Sequence, residues 1–185
     1  MKRGSQYIEA DVLERIRLGD VDAFKEFFHA LHPEIFLFVY RYTGDWDVAR
    51  DIAQDTFINF WRSHERIEPS LSAKSFLFRI ARNLALNYLA RTRHAFRLSI
   101  ATEGVLMSPY LSIEEKHDDI FLHDDLQKAI NSLPNRCREI FILSRFHDMS
   151  YSEIADTLGI SLQTVKNQMN KAISVLRTRL SDYLD

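Results

Sequence analysis

Two places in the chain carry the Glu-x-x-His spacing that sets a carboxylate and an imidazole on one side of a helix: Glu26 with His29, and Glu114 with His117. Di-iron helical bundles use that spacing on two helices and take one further glutamate from each of two others. Here the second pair sits beside a stretch with no helical period, and the bridging glutamates have no evident source, so a di-iron enzyme is the remote reading. The sequence contains no zinc-type HExxH, no phosphate-binding glycine loop and no cysteine cluster. Its single cysteine, Cys137, excludes an internal disulfide and reads as a small residue near a helix start. The expectation is therefore no catalytic residue, no metal, no cofactor and no small-molecule substrate.

A different chemistry is written into Ser150–Arg177, SYSEIADTLGISLQTVKNQMNKAISVLR. On a helical wheel Leu162, Val165, Met169, Ala172, Ile173 and Leu176 gather on one side. Gln163, Asn167, Asn170, Lys171 and Ser174 take the other, which bears amides, a hydroxyl and lysine but no carboxylate. That inventory suits a DNA major groove, where an amide can pair with adenine through two hydrogen bonds and lysine can reach guanine or phosphate. Ala155 is small where two helices must cross closely, Gly159 stands where a tight turn needs positive φ, and Ser161 is placed to cap the next helix. The spacing predicts a helix-turn-helix with Ser161, Gln163, Thr164, Lys166, Asn167, Asn170 and Lys171 toward DNA. The plainer alternative is an ordinary packed helical hairpin.

The elements that must position these residues are helical throughout. The 185 residues include only five glycines and four prolines, and no period-2 alternation extends over strand lengths. With 46% apolar residues the chain can bury genuine cores. Predicted helices run over about Ile8–Leu18, Val21–Leu31 after the cap Asp20, Pro33–Tyr42, Trp46–Glu65 and Ala73–Arg91. The organisation expected is all-α: two small helical domains, 1–95 and 119–185, joined by a flexible linker over 96–118. The start MKRGSQYIEAD lacks the apolar core of a signal peptide, and no run reaches the roughly 18 apolar residues of a membrane span. A cytoplasmic protein without membrane insertion is expected.

A net charge of −2 conceals segregation. Residues 69–102 contain no acid and six basic residues, and 157–181 are again free of acids. Between them Glu103, Glu114, Glu115, Asp118, Asp119, Asp124 and Asp125 face only Lys116. Two basic modules flanking an acidic connector suit two grips on one polyanion. On the Trp46–Glu65 helix Ala49, Ile52, Ala53, Thr56, Phe57 and Phe60 form the inward stripe, opposite Asp51, Gln54, Asp55, Ile58 and Arg62. Carboxylates repel phosphate and an outward isoleucine gains little in water, so this face suits a protein partner. On the next helix Leu77, Ile80, Ala81, Leu84 and Tyr88 turn inward. Ser75, Phe76, Arg79, Arg82, Asn83 and Leu86 fall on or beside the outer face, a mixture suited to unstacked bases and their phosphates.

The segment LPNRCREIFILSRFHDMSYSEIADTLGISLQTVKNQMNKAISVLRTRL resembles region four of a bacterial sigma factor. DVARDIAQDTFINFWRSHERI followed by AKSFLFRIARNLALNYLARTR resembles region two of the extracytoplasmic-function (ECF) group of sigma-70 factors. A response regulator ends in a similar helix-turn-helix, and is the runner-up, but it would carry an α/β receiver in the first half. The resemblance covers nearly the whole chain. It implies a subunit that binds core RNA polymerase, directs it to promoter DNA and assists melting. Asp51, Gln54, Asp55, Ile58 and Trp61 would then dock on the polymerase, and Ser75, Phe76, Arg79, Arg82 and Asn83 would melt and read the minus-ten element. The loop Ile67–Ala73 would capture an extruded base, the helix-turn-helix would read minus-35, and an anti-sigma factor would hold the protein in check. Arg50 and Asn87 depart from the family pattern, each standing where an acid is common.

Overall fold

The computed structural model describes residues 5–67, 72–99, 126 and 128–180, with side chains throughout except at 5–10 and 93–99. Among the described residues there is no strand. The chain separates into two compact units, Met1–Leu111 and Ser112–Asp185, a division that falls inside the stretch read as a linker. Residues 100–125 lie outside the described part, and with them Glu114–His117 and the acidic connector.

The first unit contains α1 (Ser5–Arg17), α2 (Val21–Thr43), α3 (Trp46–Arg62), a 3-10 turn at His64–Arg66, and α4 (Ala73–Ser99). Asp20 caps α2 as expected, accepting from the N–H groups of Asp22 and Ala23 at 2.9 and 3.0 Å and pairing with Arg15 at 2.8 Å. These bonds, the Ala23 N–H foremost, hold its carboxyl below the ordinary carboxylate range. Gly44 ends α2 at φ 64°, and Asp45 at once caps α3 through the Val48 N–H, so the two helices double back on each other.

The break predicted at Pro33 does not occur: α2 passes through it. Proline removes one donor and leaves the His29 carbonyl without its helical partner, but His29 is exposed to water. Phe27, Ile35, Phe38 and Val39, on both sides of Pro33, are buried, and this packing keeps the helix in one piece.

The core is aromatic. Phe27 stacks on Phe60 at 4.9 Å, Phe28 meets Phe57 edge-on at 4.7 Å, and Phe38 meets Phe78 at 4.9 Å, joining α2 to α3 and α4. Lys74 and Glu34 add an α4–α2 ion pair at 2.9 Å, with the ammonium over Phe78. Each fully buried large apolar side chain contributes about 1.5–3 kcal/mol relative to exposure.

The second unit contains a helical stretch through 128–131, then α5 (Asn135–Arg145), α6 (Tyr151–Leu158) and α7 (Leu162–Arg179). Ala129, Ile130, Leu133, Cys137, Ala172 and Leu176 form one core cluster. Cys137 is buried, and its thiol donates to Gln168 Oε1 at 3.0 Å, which gives it a packing role. Arg138, also buried, donates to the carbonyls of Leu133, at 2.8 Å, and Asn131, tying the start of α5 to the chain before it.

Candidate functional site

Local chemistry sets the α6–α7 geometry. Ser150 and Glu153 form a capping box at the start of α6, the Ser150 N–H donating to Glu153 Oε2 at 2.8 Å and the Glu153 N–H to Ser150 Oγ at 3.3 Å. Gly159 closes α6 at φ 63°, and the Ile160 N–H returns to the Ala155 carbonyl at 3.0 Å. A side chain at 159 would have open space around it, so the requirement for glycine is the backbone angle. Ser161 then caps α7 by accepting from the Thr164 N–H at 3.1 Å. Ala155 is buried at this crossing, as its small size predicts.

This turn presents the outer side of α7 to water. Val165, Met169, Ala172 and Leu176 are buried; Ser161, Gln163, Lys166, Asn167, Asn170 and Lys171 are exposed, and Thr164 is half-buried against Ser161. The exposed side carries no carboxylate. Gln163 Nε2 donates to Asn167 Oδ1 at 2.9 Å, one helical turn away. Two expected inward residues differ: Ile173 is only half-buried, and Leu162 is 43% exposed. As the first residue of α7 it lies at the edge of the inward stripe, where the core no longer covers it.

On α3 all six expected inward residues are buried, while Asp51, Gln54, Asp55, Ile58 and Arg62 are exposed. Arg50 pairs with Asp47 at 3.0 Å and Asp51 at 3.7 Å, which dilutes the negative charge at that end. Trp61 is not a free surface group. It is half-buried, against Phe24 at 4.8 Å and stacked on His64 at 4.7 Å.

The α4 face needs one correction. Ser75 was expected on the outer side, but it is buried. Ala73, Ser75, Leu77 and Phe78 are all enclosed, so the first turn of α4 is covered on more than one side and a wheel with a single inward stripe misplaces it. The inward face also includes Ala85, while Ile80, Leu84 and Tyr88 are only half-buried. Phe76, Arg79 and Arg82 are half-buried and Asn83 is exposed; the Phe76 ring lies 5.8 Å from Phe60. Of the loop Ile67–Ala73, both end residues are buried, and 68–71 lie outside the described residues.

Glu26 and His29 are both exposed on α2, and no group of three or more His, Cys, Asp or Glu residues among the described ones could hold an ion. No described helix is long and apolar enough to cross a membrane.

The family model for Sigma-70 region 2 matches residues 27–95, and that for Sigma-70, region 4 matches residues 123–176. RNA polymerase sigma factor CarQ of Myxococcus xanthus is 30% identical over 174 residues, covering 92% of this chain and 96% of CarQ. The chain belongs to the ECF sigma factors of the sigma-70 family. The ECF RNA polymerase sigma factor SigW of Bacillus subtilis is similar too, 26% identical over 92% of this chain and 95% of its own. Among solved structures, sigma factor RpoE of Bartonella quintana, crystallised with the anti-sigma factor NepR, matches at 26% identity. Its TM-score is 0.67, covering 85% of this chain and 96% of RpoE.

An ECF sigma factor is a transcription initiation factor and not an enzyme, which agrees with the expectation from the residues. The response-regulator reading fails because the first unit, which would be an α/β receiver, is helical and matches region 2.

Proposed function

We propose that this sigma factor works through three separate faces carried by two domains, 1–95 and 119–185, with 96–118 as the connector. The exposed side of α7, centred on Gln163, Lys166, Asn167, Asn170 and Lys171 with Ser161 and Thr164 at its start, reads the minus-35 element. Phe76, Arg79, Arg82 and Asn83 on α4 engage the melted minus-ten strand, with the half-buried Phe76 ring available for stacking and the arginines following phosphate. Ser75 acts only by packing beneath them. Asp51, Gln54, Asp55 and Ile58 on α3 dock on the largest subunit of core RNA polymerase. Trp61 supports that face from the side.

The observation that carries this assignment is the contrast in exposed charge: α7 shows water no carboxylate, whereas α3 shows Asp51 and Asp55 around an exposed isoleucine. Phosphate attracts the first and repels the second. RpoE's complex with NepR supports an anti-sigma partner for this chain as well. Its place of action is the cytoplasm, where RNA polymerase works.

The melting assignment is tested by permanganate footprinting of unpaired thymines with reconstituted holoenzyme. Phe76→Ala and Arg82→Ala should weaken reactivity near minus-ten while closed-complex binding persists. Undiminished reactivity in both variants would remove α4 from the melting role.

A further inference from the structure

The assignment of α7 to promoter DNA leaves open how its two leading amides divide the work. Gln163 and Asn167 are both exposed, and either alone could pair with adenine. They are not independent, however, since Gln163 Nε2 donates to Asn167 Oδ1 at 2.9 Å. A primary amide has two N–H bonds: one lies alongside its own carbonyl oxygen, and the other points back toward its chain. Pairing with adenine uses the oxygen, which accepts from N6, and the N–H beside it, which donates to N7. The backward N–H is left over. Donated to Asn167, that backward N–H would hold the Gln163 amide with its remaining oxygen and N–H outward, in the pattern adenine requires.

Asn167 is placed differently. Its oxygen already accepts from Gln163, and it stands one turn further along α7, whereas residues at the beginning of a recognition helix are the ones that reach base edges. Its own Nδ2 hydrogens remain available for a backbone phosphate.

We propose that Gln163 reads a single adenine of the upstream element and that Asn167 is a positioning residue, which orients the Gln163 amide and contacts the base only through it. This inference rests on α7 being the recognition helix. It predicts that the two residues control the same base position, and that their effects do not add.

The experiment is selection of bound promoters by holoenzyme, formed from core polymerase and the full chain, from duplexes randomised across the upstream element. Gln163→Ala should abolish an adenine preference at one position, a preference of about 5- to 150-fold for one amide–adenine pair. Asn167→Ala should weaken preference at that same position, and the double variant should match Gln163→Ala alone. Asn167→Asp retains the acceptor, so it should keep the adenine preference while lowering affinity for every sequence.

A shift at a different base position, multiplying effects, or a switch from adenine to cytosine in Asn167→Asp would show that Asn167 itself reads a base, and would overturn the inference. No change of preference in any variant would also overturn it. If wild-type holoenzyme selects no upstream element at all, the recognition-helix assignment itself has failed, a result separable from the others.

Discussion

The outer sides of α3 and α7 are built by the same rule and differ in what they leave in water. Each helix buries one stripe, Ala49–Ile52–Ala53–Thr56–Phe57–Phe60 on α3 and Val165–Met169–Ala172–Leu176 on α7. Opposite those stripes α3 places Asp51, Gln54, Asp55 and Ile58, and α7 places Gln163, Lys166, Asn167, Asn170 and Lys171. The scaffold is alike, so function is set by a few exposed side chains that carry little of the folding energy. Such faces can be altered without unfolding the protein, and each can be broken alone.

The largest expected effect is on the scaffold of one face. Phe60 is fully buried and stacked on Phe27, so Phe60→Ala should remove about 3–5 kcal/mol of stability from the first unit. Calorimetry of the full chain should show one transition moved far down and the second unit's transition in place; equal shifts in both would mean that the units unfold together.

Charge reversal on α7 comes next. Lys166→Glu brings a carboxylate to phosphate and should cut promoter affinity by about tenfold to a hundredfold at moderate salt, with core polymerase affinity intact. Unchanged promoter binding would show that this side of α7 does not meet DNA. The converse variant, Asp51→Arg with Asp55→Arg, should weaken core binding roughly tenfold and spare DNA binding. Equal affinity for core, measured by fluorescence anisotropy, would remove α3 as the docking face.

The smallest effect concerns pH. His32 is half-buried between Phe28 and Phe57, and burial, with a lesser contribution from His29, pushes its pKa below the ordinary 6.5. The folded state therefore resists protonation. Its stability contribution is full above the ordinary histidine value and is lost as pH falls from there toward the depressed folded value. The thermal midpoint should drop slightly over that window, and His32→Phe should flatten most of the drop. A wild-type midpoint that rises as pH falls would contradict it.

How far the sequence could be read depended on how simply each helix packs. The α3 wheel holds at each residue assigned to its inward or outward stripe, though not at Trp61, because that helix has one covered side and one wet side, the situation in which a 3.6-residue period carries full information. The turn between α6 and α7 was legible for another reason: Ser150, Gly159 and Ser161 act through local hydrogen bonds and backbone angles that need no distant partner.

Ser75 was misread because its turn is enclosed on more than one side, which no single wheel represents. Pro33 was misread because a local helix-breaking signal lost to the packing of Phe27 and Ile35 on either side of it. The pairing of Gln163 with Asn167 had a visible signal, two amides four residues apart, but spacing alone does not say which amide donates.

As a sigma factor, this chain turns core RNA polymerase into a promoter-selective enzyme. Run-off transcription with purified core polymerase, with and without the protein, on fragments of the genome that encodes it, tests this most directly. New discrete start sites should appear, each preceded by two shared elements at a fixed spacing. Binding of the protein to duplex DNA with no new start site would contradict it.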